Sequence, residues 1–234
     1  MTLNRSVWVT LIGTMVSAGA LAYAHVALPS QTLLSDYALV SGGLAPVLIG
    51  MLALAGACLS LAYGLATVDP GRTAATRVLL LAGAFGLMMS GIFPTDPGTS
   101  QVGSLSGEIH RWSAAIVFTS LPVAGWVLAR GRSAAPRWNA VRAMSVASGV
   151  ALAVYLAAHP ATFTSALING GAYYGLLERG MVLAEMALLM AMALAIGGGR
   201  GAARNAVAPP AVTAAERDRP ENPERPEGQE RLAA

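Results

Sequence analysis

The 234-residue sequence predicts an all-helical bundle of six transmembrane helices. Two observations carry this expectation. Apolar residues make up 55% of the chain and charged residues only 12%, about half the charge of an average soluble domain. The charge is also clustered: eleven of the 27 Asp, Glu and Arg residues lie from Arg204 onward, leaving the body of the chain poorer still.

A bilayer-crossing helix needs about 20 mostly apolar residues. Six stretches meet that length: Val7–Leu28, Val40–Ala66, Ala75–Phe93, Ile109–Ala129, Val141–Leu167 and Leu176–Ile196. The first also has the form of a signal peptide, with Arg5, an apolar run and Ala22-Tyr23-Ala24. Its length and the polytopic continuation favour a retained span. The second opens near Ser41-Gly42-Gly43 with Pro46 close behind, which predicts a tilt or bend. Gly83, Gly86 and Ser90 on the third are small residues at helical spacing, the pattern that lets backbones approach closely in lipid. The single cysteine, Cys58, lies inside an apolar run and reads as a buried, inert thiol.

These spans define a transmembrane domain over residues 1–197. Residues 198–234 hold five prolines and an interleaved run of Arg, Asp and Glu without apolar periodicity, the composition of a disordered, solvated tail. All fifteen basic residues are Arg, and their positions give the orientation. Arg5, Arg72, Arg77, Arg130, Arg132, Arg137, Arg142, Arg200 and Arg204 flank alternate ends of the spans, while loops 29–39, 94–108 and 168–175 contain none. The positive-inside rule therefore predicts a cell-membrane protein with both termini in the cytoplasm. No aromatic–basic interleaving accompanies the Arg residues, so the charge of +3 does not point to nucleic acid.

With that orientation the polar residues gather at the extracytoplasmic ends. Ser35 and Asp36 precede span two. Phe93-Pro94-Thr95-Asp96-Pro97 ends span three, where the prolines stop the helix and Asp96 suits a turn or cap. Glu108, His110 and Arg111 open span four, with Glu108 and Arg111 spaced to pair on one face. Glu178 and Arg179 open span six. As neighbours they cannot face each other, so Arg179 is expected to seek Asp36 or Asp96. His25 and His159 lie near the same side. Glu185, two turns from Glu178 and ~10 Å deeper, is the residue that enters the membrane, where ionisable groups default to functional roles.

The candidate acid–base residues are His110, Asp96, Asp36 and Glu108; His titrates near neutrality and carboxylates orient it. Arg111, Glu178, Arg179, Glu185, His159 and His25 are candidate substrate contacts. The sequence has no HxxxH, HExxH or CxxC spacing, so no metal site is assigned; two of the three histidines across a bundle are the arrangement a haem would need. The cofactor stays unknown.

Ser35-Asp36, Phe93-Pro94-Thr95-Asp96, Gly107-Glu108-Ile109-His110 and Gly175-Leu176-Leu177-Glu178-Arg179 together resemble the domain of unknown function 998 family. The resemblance covers most of residues 7–197. It implies about six membrane helices and assigns no reaction. The expected function is an outward-opening pocket for a lipid or small amphipathic substrate, as a membrane-embedded enzyme, with a proton-coupled carrier or an accessory membrane subunit as alternatives.

Overall fold

The structure, a computed structural model, describes residues 3–97, 103–164 and 172–206, with side chains over 5–97, 103–158 and 173–198. The chain divides into two units, Met1–Gly199 and Arg200–Ala234. The helices are α1 (Leu3–Ala27), α2 (Leu44–Val68), α3 (Ala74–Ile92), α4 (Leu105–Ala129), α5 (Pro136–Thr164) and α6 (Ala172–Ala206), with a short 3-10 helix, Ser35–Leu39, between α1 and α2. Among the described residues there is no strand, and six helices are long and apolar enough to cross a membrane. Most of the expected tail lies outside the described residues, as does the end of the expected fifth span beyond Thr164.

Every helix start except that of α3 lies four or five residues from the expected edge of its span, and two of them show why. α2 begins at Leu44 because Val40 is extended and Gly42 takes φ +79°, a left-handed conformation that glycine adopts at little cost. Pro46 then falls in the first turn, where its missing N–H breaks no intrahelical bond. α4 begins a full turn before Ile109. Ser104 caps it, its hydroxyl accepting from Gly107 N–H at 3.0 Å, which satisfies one of the orphan donors of a helix start. A window tuned to apolar residues misses such a polar first turn.

The tightest packings join α1 to α2, α2 to α3, α3 to α4, and α4 to α5. Missing side chains permit them. A Cβ at Gly13 would lie 2.9 Å from Ala53 O across α1–α2, and one at Gly86 would lie 2.7 Å from Ser113 O across α3–α4. α6 belongs to none of these close pairs; it fills the interior with long side chains, Met181, Leu188, Leu189 and Met192, all buried.

α1 is apolar outward and polar inward. Trp8, Ile12 and Met15 are exposed, whereas Ser6, Thr10, Thr14 and Ser17 are buried. Thr10 donates to Ser6 O at 2.8 Å and to Ala57 O at 3.3 Å, and Thr14 donates to Thr10 O at 2.8 Å. The two threonine hydroxyls satisfy themselves on backbone carbonyls, whereas the Ser6 and Ser17 hydroxyls have no partner among the described residues.

The Arg-rich end is fastened by Arg132 to Asp69 at 3.4 Å and by Arg142, which donates to Ala129 O at 3.0 Å and Arg132 O at 2.6 Å. Arg132 and Arg137 stack on Trp138, 5.1 and 5.9 Å from its ring centre.

Candidate functional site: a roofed cavity at the polar end

Two sets of contacts fasten the connecting segments across the end of the bundle opposite Arg132 and Arg142. The first binds the α3–α4 connection to the start of α4. Asp96 accepts from Ser104 N–H at 3.1 Å and from the Ser104 hydroxyl at 2.5 Å, while that hydroxyl caps α4. Ser106 donates to Pro94 O at 3.0 Å. His110 Nδ1–H is shared between Ser90 O and Phe93 O, 2.9 Å each. Because both partners are carbonyls, Nδ1 carries a proton, and in the neutral ring Nε2 is left as an acceptor. Arg111 pairs with Glu108 at 2.7 Å, as its spacing predicts, and more loosely with Asp96 at 3.8 Å.

Gly107 makes this arrangement possible. A Cβ there would collide with the Asp96 carboxylate. The Ser104 hydroxyl, then the Ser104 N–H, Arg111 and His110 hold the Asp96 carboxyl below the usual carboxylate range.

The second set binds the α1–α2 connection to α6. Glu178 accepts from Leu34 N–H at 2.7 Å. Arg179 donates to Thr32 O at 2.8 Å, Gln31 O at 2.9 Å and Gly175 O at 2.8 Å. Gly175 is required here too, since a Cβ would strike Thr32 O. The expectation that Arg179 would pair with Asp36 or Asp96 is therefore corrected: among the described residues its guanidinium makes no ion pair. Carbonyls of an irregular segment need donors, and the planar guanidinium reaches two of them at once while also holding its own helix.

Asp36 instead turns onto its own segment, accepting from Leu33 N–H at 3.0 Å. Burial raises its pKa above 3.8, opposed by Leu33 N–H, His110 and Arg179. His25 Nδ1 lies in hydrogen-bond contact with the buried Tyr37 hydroxyl at 3.0 Å. His159 is on α5, with its side chain outside the described residues.

Beneath this roof lies a cavity of about 90 Å³. Leu34 and Ser35 cover it, Ser90 and His110 line one side, and Glu178 and Glu185 the other. Of the candidate acid–base residues, His110 alone borders it; Asp36, Asp96 and Glu108 belong to the surrounding fastenings. Ser17 also lines it. The buried Glu185 Oε1 and Ser17 Oγ have no hydrogen-bond partner among the described residues. Ser17 escapes a search for charged residues, although the hydroxyl stripe Ser6-Thr10-Thr14-Ser17 at helical spacing is a signal for it. No three His, Cys, Asp or Glu side chains form a metal-binding group among the described residues.

Asp36 supplies a prediction with a definite sign. Its pKa is raised in the folded protein, so its native-state contribution is full below 3.8 and is lost as pH rises through the raised value. Asp36→Asn keeps an acceptor for Leu33 N–H and removes the titration. The variant should melt higher than wild type at neutral pH, with the difference vanishing in acid. A pH series of melting temperatures checks this; a variant less stable at neutral pH contradicts it.

Six apolar spans and ionisable groups held at one end define a multi-pass helical membrane protein. Its family follows from comparison: the chain belongs to the family described as protein of unknown function DUF998, whose model matches residues 7–195. No curated protein and no solved structure matches the chain.

Proposed function

We propose that the protein handles a lipid or small amphipathic molecule in the roofed cavity, as a membrane-embedded enzyme with His110 as its acid–base group. The observation that carries this reading is the pair of unpartnered buried polar atoms, Glu185 Oε1 and Ser17 Oγ, on the wall of one cavity. A buried polar group without a partner costs about 1–3 kcal/mol, which a ligand able to donate to Glu185 offsets. His110 supports the chemical step. Its Nδ1–H is anchored on two carbonyls, which fixes the tautomer and leaves Nε2 to take a proton. The arginines around the roof, with Asp36, Asp96 and Glu108, hold this geometry and touch no substrate in this reading.

A proton-coupled carrier is the second reading, favoured by the depth of Glu185 and its 2% exposure. The two separate by variant. His110→Asn keeps a donor for Ser90 O and Phe93 O but loses Nε2, so an enzyme loses turnover and keeps binding. Glu185→Gln should stop proton-coupled uptake if the protein is a carrier.

Binding is the first test. In lipid nanodiscs, a series of fatty alcohols and monoacylglycerols should raise the melting temperature of wild type. At a hundredfold excess over Kd the gain is about 2.7 kcal/mol, or roughly 5–10 °C for a chain of this size. Glu185→Leu should abolish the shift. A series that moves wild type and Glu185→Leu equally rejects the pocket.

The orientation is part of the proposal: both termini cytoplasmic, and the roof facing outward, on the strength of the Arg distribution. In a Cys58→Ala background, Ser100→Cys should react with an impermeant thiol reagent in intact cells. Labelling only after permeabilisation overturns it.

A further inference from the structure

A second concavity lies against the first. It is a groove of about 190 Å³ along the seam between α1 and α6, bordered by Ala18, Ala22, Leu183 and Met186, with His25 and Arg179 at its rim. Leu21, Leu34 and Val182 line both the groove and the cavity, so one layer of side chains separates them. Leu21 reaches across to α2 at Gly50, where a Cβ would lie 3.0 Å from Leu21 Cγ.

The seam is closed by side chains rather than by close backbone approach. α6 takes part in none of the tight helix pairs. At the Arg-rich end Val7 packs on Gly197, 3.5 Å from where its Cβ would be. At the other end Arg179 ties α6 to Gln31 and Thr32. Between these closures the wall consists of the aliphatic side chains of Leu21, Leu34 and Val182. Exposed Leu183 and Ala22 place the groove on the surface that meets lipid.

The volumes limit the ligand. A cavity of about 90 Å³ holds a polar head and little more, since a cavity of about 150 Å³ takes one benzene. We infer that the substrate is a membrane-dissolved amphiphile with a hydrogen-bond-donating head, which enters sideways through the α1–α6 seam. Its head occupies the cavity beside Glu185 and His110, and its chain passes between Leu21 and Val182 into the groove. This rests on the pocket reading above and adds the substrate class and the route. Lateral passage spares the apolar chain from water, at about 0.8 kcal/mol for each CH₂ kept buried.

The test uses two diazirine-bearing alcohols, one long-chain and membrane-dissolved, one short-chain and water-soluble, with purified protein in phosphatidylcholine vesicles. Labelled residues are mapped by peptide mass spectrometry. The long-chain probe should mark residues 18–22 and 182–186 about tenfold over the lipid-facing Val78 and Phe85 of α3, the ratio that 1.4 kcal/mol of preference gives. Ala18→Trp with Ala22→Trp should remove its labelling of the cavity and leave the short-chain probe's labelling of the cavity intact. Uniform labelling of the lipid-facing helices by the long-chain probe overturns the seam. So does unchanged cavity labelling in the Trp variant. If the short-chain probe still reaches the cavity in those cases, the pocket stands without the seam; if it marks no cavity residue in wild type, the pocket fails and this inference with it.

Discussion

Gly107→Ala should destabilise the protein, although helix propensity favours alanine over glycine by up to about 1 kcal/mol. The sign reverses because a Cβ at residue 107 would occupy the space of the Asp96 carboxylate. That carboxylate is short and is held by the Ser104 N–H and hydroxyl. Displacing it breaks charge-assisted hydrogen bonds and disturbs the Ser104 cap, a cap alone being worth about 1 kcal/mol. The Asp96 side chain is partly exposed at the rim, so these contributions are discounted for solvent. Since the substitution acts through Asp96, Asp96→Ala should also lower stability, and the double variant should cost far less than the sum of the two. Unfolding in mixed micelles measures all three. Gly107→Ala at or above wild-type stability, or additive costs, would show that Gly107 and Asp96 are independent.

How far the sequence discloses this molecule depends on the scale of the signal. The spans are legible because about 20 apolar residues in a row have few alternatives to crossing a bilayer. The resemblance of four short motifs to one family is matched by a family model over residues 7–195. The Glu108–Arg111 pair is legible because i, i+3 residues share a helix face. Helix starts are less so: Ser104 is an ordinary serine until its hydroxyl is seen to accept from Gly107 N–H.

Partners across the bundle are harder. Charge complementarity suggests a carboxylate for Arg179, yet the segment Gln31–Thr32 presents carbonyls without regular partners, and those take the guanidinium. Counting charges does not reveal backbone acceptors, because every residue carries one. The cavity is also invisible in sequence. It takes in His110, Glu178 and Glu185 from helices far apart in sequence while leaving Asp96 with the Ser104 cap. Polarity at one end of the bundle is readable from Arg counting; the division into fastening and cavity requires knowing which backbone groups lack partners.

Arg179→Gln should cost about 2 kcal/mol, the effect of removing hydrogen bonds made by a charged donor, discounted because Arg179 is only half-buried. Glutamine has one amide donor group and cannot serve Thr32 O, Gln31 O and Gly175 O together. Arg179→Lys should fall between, since an ammonium is a point donor without the planar fork. Glu178→Gln should cost least, because the amide oxygen still accepts from Leu34 N–H; Glu178→Ala leaves that N–H unpaired and should speed its hydrogen exchange. The competing account is that Arg179 acts as the counter-ion of Asp36. In that case Arg179→Gln should do little damage once Asp36 is already neutral in an Asp36→Asn background. With carbonyls as the partners, Arg179→Gln should cost nearly as much in that background as in wild type, and a cost that disappears there would return Arg179 to an ion pair.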